Sequence, residues 1–350
     1  MVGQHHLGRQ KKTKHHFSLL NDGVAFAAPF YEEKEKLMNL EQYATPATIE
    51  AIYKYYKDKR KNEHRPHLGG SQIGNDCSRA LWYQFRHAWR PSFDGRMLRL
   101  FETGDREEDR IVSNLRAVGV TVWERDPETG KQVRFTECGG HFALSLDGVG
   151  LGFAESKKPH TLEFKTMSEK NFKAMKNLGC QKSKPVYWAQ CQIGMHLAEL
   201  DRCYFFCVNK NTDEIYGERI KLDKKEAKGL VEKANKIVFS DTPPSRLSED
   251  ASFWQCKWCS YWAICHGCKI PEVSCRTCSH VTPEQDGSWS CAKGKPVETC
   301  SEHLFIPQIM PKDLVVKDAA DTFVEYEDLD TGEVIRNENN SQAIFDERMQ

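Results

Sequence analysis

The chain has 350 residues, 39% of them hydrophobic and 29% charged, with 50 Lys and Arg against 50 Asp and Glu. This suits a soluble globular protein of two domains, or of one domain with appendages, and no stretch approaches the roughly 18 apolar residues of a membrane span. A net charge of zero does not announce a nucleic-acid binder, yet from Lys312 onward eleven Asp and Glu face only four Lys and Arg, so the preceding chain carries a positive excess and room for a basic groove. Met1 to His16 is polar and rich in His and Lys, without the apolar core of a signal peptide, which points to the cytoplasm. In chain order, Glu32 to Tyr43 has apolar residues at helical spacing. Thr45-Pro46 is an N-cap and first-turn proline for a helix running to about Lys61. Residues 1–66 thus form an N-terminal helical segment. Ser71 to Arg86 follows, and Met97 to Val118 is a long amphipathic helix closed by Gly119.

The period then changes to two. Val120 to Trp123 and Lys131 to Phe135 flank the turn Asp126-Pro-Glu-Thr-Gly130 as a hairpin, and His141 to Leu146 and Thr161 to Lys165 are further strands. A helical stretch begins at Asn171. Tyr187 to Leu200 is a helix, Cys203 to Val208 and Ile215 to Ile220 are strands, and Lys224 to Val238 is a helix. Residues 67–270 therefore form an α/β core with a mixed central sheet flanked by helices. A Cys-rich module at 271–307 and an acidic tail at 308–350 with one small hairpin complete the chain.

Within Leu162-Glu163-Phe164-Lys165-Thr166, strand geometry puts Leu162 and Phe164 on one face and Glu163 and Lys165 on the other. Asp147 stands sixteen positions earlier, just after a strand, and the loop from Gly148 to His160 can carry it beside Glu163. Two converging carboxylates repel unless a cation lies between them, and Mg²⁺ takes oxygen ligands while keeping several waters. Such an ion polarises a phosphate and acidifies a bound water. Lys165 would orient that water or stabilise charge on the phosphorane. Glu155-Ser156-Lys157 is a rival with the same spacing, but its Gly, Lys and Pro neighbours suit a loop rather than a rigid strand. Asp147-Gly148 alone is equally a turn, and Glu163 and Lys165 alone are equally a surface ion pair.

With these motifs in order, residues 68–240 resemble the PD-(D/E)XK nucleases, in the branch of the RecB-like and lambda-exonuclease-like enzymes. The resemblance implies a restriction-endonuclease-like core. It assigns Glu108, in Gly104-Asp-Arg-Glu-Glu108, as a further metal-side carboxylate. It matches Asp147-Gly148 to the family's Asp-Gly, Glu163 and Lys165 to its Glu-x-Lys, and Tyr187-Trp-Ala-Gln190 to its Tyr-x-x-Gln helix, with Gln190 near the active site or the DNA backbone. On this footing Asp147, Glu163, Glu108 and the Phe164 carbonyl would hold Mg²⁺ or Mn²⁺. The implied activity is a deoxyribonuclease, most simply an exonuclease, in phage or bacterial recombination or repair. A recombination or annealing protein would be its partner. The rival reading is a catalytically silent nuclease fold that serves as a metal-bearing DNA scaffold, and a third is a zinc-ribbon regulator whose core is not a nuclease.

Fourteen cysteines without a secretory signal point to thiols and metal ligands rather than disulfides. Cys256-Lys-Trp-Cys259 with Cys265 is one ligand short of a four-thiolate site, and Cys77 is the distant fourth. The layout resembles the iron–sulfur nucleases of the AddB and CRISPR-associated kinds, implying a [4Fe–4S] cluster that ties the start of the domain to its end. Cys268 competes for a ligand place and zinc for the metal. Cys275, Cys278, Cys291 and Cys300 resemble a zinc ribbon holding structural Zn²⁺, with His280 and His303 as substitutes. Cys138, Cys180, Cys191, Cys203 and Cys207 are scattered and read as buried apolar residues. For DNA ends or single strands, Arg79, Arg86 and Tyr187 are the first contacts expected. Arg90, Arg96, Lys170 and Lys173 add charge, while Trp82, Trp89, Trp188 and Trp254 read as core. No sequence-reading motif stands out.

Overall fold

A computed structural model describes residues 45–60, 64–295, 302–338 and 341. The predicted helix at Glu32–Tyr43, Cys300 and the last nine residues lie outside that set. The chain divides into Met1–Ile52 and Tyr53–Gln350. Of the first unit, the described residues begin helix α1 (Ala47–Lys59).

The second unit is a mixed α/β structure. Its elements are β1 (Leu68–Gly69), α2 (Ser78–Phe85), α3 (Gly95–Ala117), β2 (Thr121–Trp123), β3 (Arg134–Glu137), β4 (Phe142–Ser145), β5 (Gly148–Leu151), β6 (His160–Met167), α4 (Glu169–Ser183), α5 (Pro185–Leu197), β7 (Arg202–Asn209), β8 (Ile215–Lys221) and α6 (Lys224–Val238). The Cys-rich stretch adds the single turns α7 (Trp254–Lys257) and α8 (Trp262–Cys265) and a hairpin of β9 (Val281–Pro283) with β10 (Trp289–Cys291). β11 (Leu314–Ala320), β12 (Phe323–Asp328) and β13 (Val334–Asn337) follow.

The central sheet has the order β2-β5-β6-β7-β8. Only β6 and β7 run parallel, the other pairs being antiparallel. A parallel pair needs a long crossover, and α4 and α5 supply it. β6 is buried along most of its length because both faces are covered. On one face, Leu162 and Phe164 join Ile111, Val112 and Leu115 of α3. On the other, Phe172, Met175, Cys191 and Phe205 close the sheet from α4, α5 and β7. α3 is fixed at its start by Asp94, whose side chain accepts from Met97 N at 2.6 Å, and α6 by Asp223 in the same way.

Three expectations change. The strands either side of Asp126–Gly130 do not form one hairpin: β2 pairs with β5 in the central sheet, while β3 pairs with β4 in a small sheet ordered β1-β4-β3. Only the Arg125–Gln132 bridge joins the two arms. The stretch after Asp147 is not all loop, since β5 pairs with β6 through Gly148 and Leu162. The tail holds a three-stranded antiparallel sheet rather than one hairpin; its first strand has an irregularity at Val316–Asp318 and is largely exposed, which erased the alternation.

One apolar cluster runs through the ranges 67–270, 271–307 and 308–350, joining Trp82 and Phe142 to Phe305, Ile309 and Tyr326. Trp82 sits at its middle, fully buried, donating its indole N–H to Ser240 O at 2.9 Å. Trp82→Ala should lower stability by about 3–5 kcal/mol in urea denaturation; a loss below about 1 kcal/mol would contradict this packing.

Candidate active site

β6 ends between α3 and α5, and a cleft of about 430 Å³ opens there, lined by Phe101, Gly104 and Glu108 of α3, Phe164 and Lys165 of β6, and Tyr187 of α5. Asp147 is the residue between β4 and β5. Its Oδ2 accepts from the Phe164 backbone N–H at 2.8 Å, which ties it to the peptide between Glu163 and Lys165. Gly148, next to it, lets β2 lie close to β5: a Cβ there would be 3.1 Å from Trp123 O. Glu163 is 3% exposed and pairs with the Lys165 ammonium, which also donates to Phe164 O at 3.0 Å and lies 5.6 Å from the centre of the Tyr187 ring.

Asp147, Glu163, Lys165, Glu108 and Tyr187 are therefore brought together. Gln190 is buried on α5, three residues past Tyr187. The rival Glu155 is exposed in a turn closed by the Phe153–Ser156 bridge. Gly104 stands in the middle of α3, where glycine costs about 1 kcal/mol relative to alanine. A Cβ at that position would meet nothing within 4 Å, so no packing among the described residues requires the glycine.

The electrostatics record crowding. Burial pushes the Glu163 carboxyl up to about 8, with Lys165 opposing and Asp147 and Glu108 adding to the rise. Burial and the Asp147 charge push Glu108 up to about 7. Burial also raises Asp147, against the pull of Lys165 and the Phe164 N–H. Lys165 is drawn down by burial, but Glu163, Asp147 and Glu108 outweigh that and hold it above the usual lysine range. Three carboxylates share one ammonium, and a divalent cation suits that donor set.

The thiols fall into groups. Cys77, Cys256, Cys259 and Cys265 line one cavity, although Cys77 stands at the start of α2 and the others follow α6. Burial, then the charges of Cys265 and Cys77, push the Cys256 thiol up; burial and the charges of Cys77, Cys265 and Cys256 raise Cys259. His266 borders the same cavity, buried, with no hydrogen-bond partner for its Nε2 among the described residues. Cys268 is exposed and does not border it. Cys275, Cys278 and Cys291 line a second, small cavity with His280. His303 borders the same cavity, with its Nδ1 2.9 Å from Ser341 Oγ and its Nε2 3.0 Å from Ser274 O. Cys180, Cys191, Cys203 and Cys207 are buried in the core behind Glu163, as apolar residues would be.

Two expected DNA contacts are corrected. Arg79 is 9% exposed and spans to Pro244 O at 3.0 Å and Gln308 O at 3.2 Å. Arg86 is 1% exposed and donates to Val281 O and Ser240 O. Both guanidiniums satisfy buried carbonyls and cannot reach a phosphate. Trp254 is corrected in the other direction, being 66% exposed. The sequence reading also missed Asp313, Asp328 and Asp330, whose carboxylate oxygens lie within 4.8 Å of one another and could hold a metal ion. The Asp-x-Asp at the β12–β13 turn was its only signal. Asp328 Oδ1 accepts there from the backbone N–H groups of Asp330 and Thr331.

No family model and no curated protein matches the chain. Among solved structures it is similar to SSO0001, at 15% identity and a TM-score of 0.38, over 63% of this chain and 96% of that one. It is also similar to LHK-Exo, an alkaline exonuclease from Laribacter hongkongensis, at 14% identity and a TM-score of 0.33 over 50% and 87% of the two chains. The likeness to LHK-Exo in complex with dAMP is 15% identity and a TM-score of 0.34, over 49% and 86%. At this distance the likeness is one of outline. No helix among the described residues is long and apolar enough to cross a membrane.

Without divalent ions, Glu108 and Glu163 keep their protons in the folded state to about 7 and 8, whereas an unfolded glutamate loses its proton near 4.5. The folded chain then binds more protons across that window, so stability should fall as pH rises through it and level off above. Denaturation at a series of pH values measures this, and Glu108→Gln should flatten the slope. A curve that climbs through the window would mean that the carboxylates are not crowded.

Proposed function

We propose that the protein is a deoxyribonuclease that hydrolyses phosphodiester bonds with a bound Mg²⁺ or Mn²⁺, acting as an exonuclease in phage or bacterial DNA recombination or repair. The single observation that carries this reading is Asp147 hydrogen-bonded to the peptide between Glu163 and Lys165, with Glu108 facing them from α3. Asp147 and Glu163 would hold the ion, with Glu108 and the Phe164 carbonyl as further oxygens. When bound, the ion supplies charge for the phosphate and an acidified water.

The chain's own residues do the rest. Lys165 keeps its proton beside Glu163 and Phe164 O, so an ammonium is always available to a phosphate oxygen. Strand β6 fixes both side chains, because its neighbours on either side leave it no freedom to shift. Tyr187 and Phe101 close the cleft laterally, and Gly104 leaves space for the sugar–phosphate chain.

Linear DNA should be digested with Mg²⁺ or Mn²⁺ and left intact with chelator. Lys165→Ala and Asp147→Asn should each lower the rate by at least about a hundredfold. End-labelled strands and closed circles separate end-dependent from internal cutting. Intact DNA with every variant and with the unaltered chain would favour the silent scaffold instead.

The thiols support a second part of the proposal. Cys77, Cys256, Cys259 and Cys265 would ligate a [4Fe–4S] cluster, with zinc as the competing metal; Cys275, Cys278 and Cys291 would hold Zn²⁺ together with Cys300. Anaerobically prepared protein should contain iron and acid-labile sulfide, absorb visible light, and carry one zinc per chain. Cys77→Ala should lose the iron, keep the zinc and melt earlier. A chain with zinc at both places and no sulfide would exclude the cluster.

A further inference from the structure

The cleft at the end of β6 contains a cation besides Lys165. Lys210, the residue after β7, borders it together with Thr166, and among the described residues lining the cleft these two lysines are the only cations. They come to it from different strands. Lys165 lies on the α5 side of the sheet, beside the Tyr187 ring. Phe164 and Val208 lie on the α3 side; Thr166 shares that face and pairs with Val208, and Lys210 follows two residues on.

The turn that presents Lys210 is held at many points. The Lys210 N–H donates to Met167 O at 2.9 Å, the Asn209 N–H to Glu214 O at 2.9 Å, and the Asp213 N–H to Asn209 O at 2.8 Å. Arg110 of α3 donates to Asp213 Oδ1 at 2.8 Å and so ties the turn to the helix that carries Glu108. The carboxylates around the turn have cations of their own: Glu169 pairs with Lys173, Asp213 with Arg110, and Glu214 with Lys176, while Glu107 in the cleft wall also pairs with Arg110. Among the described residues the Lys210 ammonium has no ion-pair partner. Its backbone is fixed, its side chain is exposed, and its charge is left for something that enters the cleft.

A nucleic-acid backbone carries one charge per nucleotide, so a phosphate brought to Glu108 and Lys165 brings a charged neighbour with it. Glu163, Asp147 and Glu108 repel that neighbour, and Lys165 is already engaged by Glu163. A second cation on a fixed support offsets the repulsion. We infer that Lys210 binds the backbone phosphate next to the one held at Lys165, as a residue that positions the strand rather than one that cuts it. The assignment rests on the nuclease reading and narrows its substrate to a polynucleotide strand with at least two successive phosphates in the cleft.

The test uses the full chain in buffer free of divalent ions, with a labelled DNA duplex that ends in a short single-stranded overhang. Lys210→Gln should weaken binding about tenfold and reduce the slope of log Kd against log salt by about 0.7 to 0.9. Lys210→Arg, which keeps the charge, should retain most of the affinity. A neutral methylphosphonate is then placed at one linkage at a time near the overhang. One linkage should weaken binding to the unaltered chain about tenfold and make no further difference to Lys210→Gln, because the charge it removes has no partner left there. The side chain is exposed and the backbone bonds of the turn do not depend on it, so the change leaves the fold intact, which the melting temperature checks. Absence of DNA binding by the unaltered chain, unaltered affinity and salt slope in Lys210→Gln, or undiminished sensitivity of that variant at every linkage would overturn the assignment. Cleavage with Mg²⁺ is scored separately on the same DNA. A chain that shows the coupled linkage yet never cuts keeps the phosphate contact and loses the nuclease; one that cuts while Lys210→Gln binds as before keeps the nuclease and loses the contact.

Discussion

A glutamate is buried in the middle of a sheet with a lysine two residues along the same strand. Alone, Glu163 would be neutral in such surroundings, because water cannot reach a 3% exposed carboxylate to stabilise its charge. Lys165 offsets part of that cost, but Asp147 and Glu108 bring two further carboxylates to the same place. Ionising all three would leave two negative charges uncompensated. The surrounding architecture maintains this conflict: β5 and β7 lock β6 from both sides, the Phe164 N–H holds Asp147, and the capped start of α3 fixes the helix that presents Glu108. Such strain persists where it serves a purpose, and a small doubly charged ion is its natural complement.

Much of this was legible because it is local. Alternation at 162–166 assigns faces without knowledge of any neighbour, and Lys224–Val238 has the bounds its periodicity implies. The mixed α/β class followed from the order of such segments. What escaped was pairing at a distance. The turn at Asp126–Gly130 has every mark of a hairpin, and Asp126 does cap it through Glu128 and Thr129, yet its arms serve different sheets. β5 was hidden because Gly148 and Gly150 weaken its strand signal. Arg79 and Arg86 looked like phosphate contacts because nothing in the sequence reveals that carbonyls of Pro244, Gln308, Val281 and Ser240 converge on them.

The cysteines follow the same division. Cys256, Cys259 and Cys265 are neighbours in sequence and announce a site, and Cys77 shares their cavity only because α2 packs beneath the segment that follows α6. Cys180, Cys191, Cys203 and Cys207 are no less clustered in space, but they sit among Phe172, Met175 and Phe205, where burial pushes the Cys191 and Cys207 thiols up.

Arg276 joins two segments that are distant in sequence. From within the Cys-rich stretch it donates to Phe85 O at 3.1 Å and Pro66 O at 2.9 Å and covers the Trp289 ring at 4.4 Å, while Arg86 approaches the same ring at 5.4 Å. An indole that meets two guanidiniums, each anchored to the opposite segment's backbone, is a rivet. The hairpin that carries Trp289 has no swivel, so whatever it grips keeps a fixed distance and bearing from the helix it is fastened to.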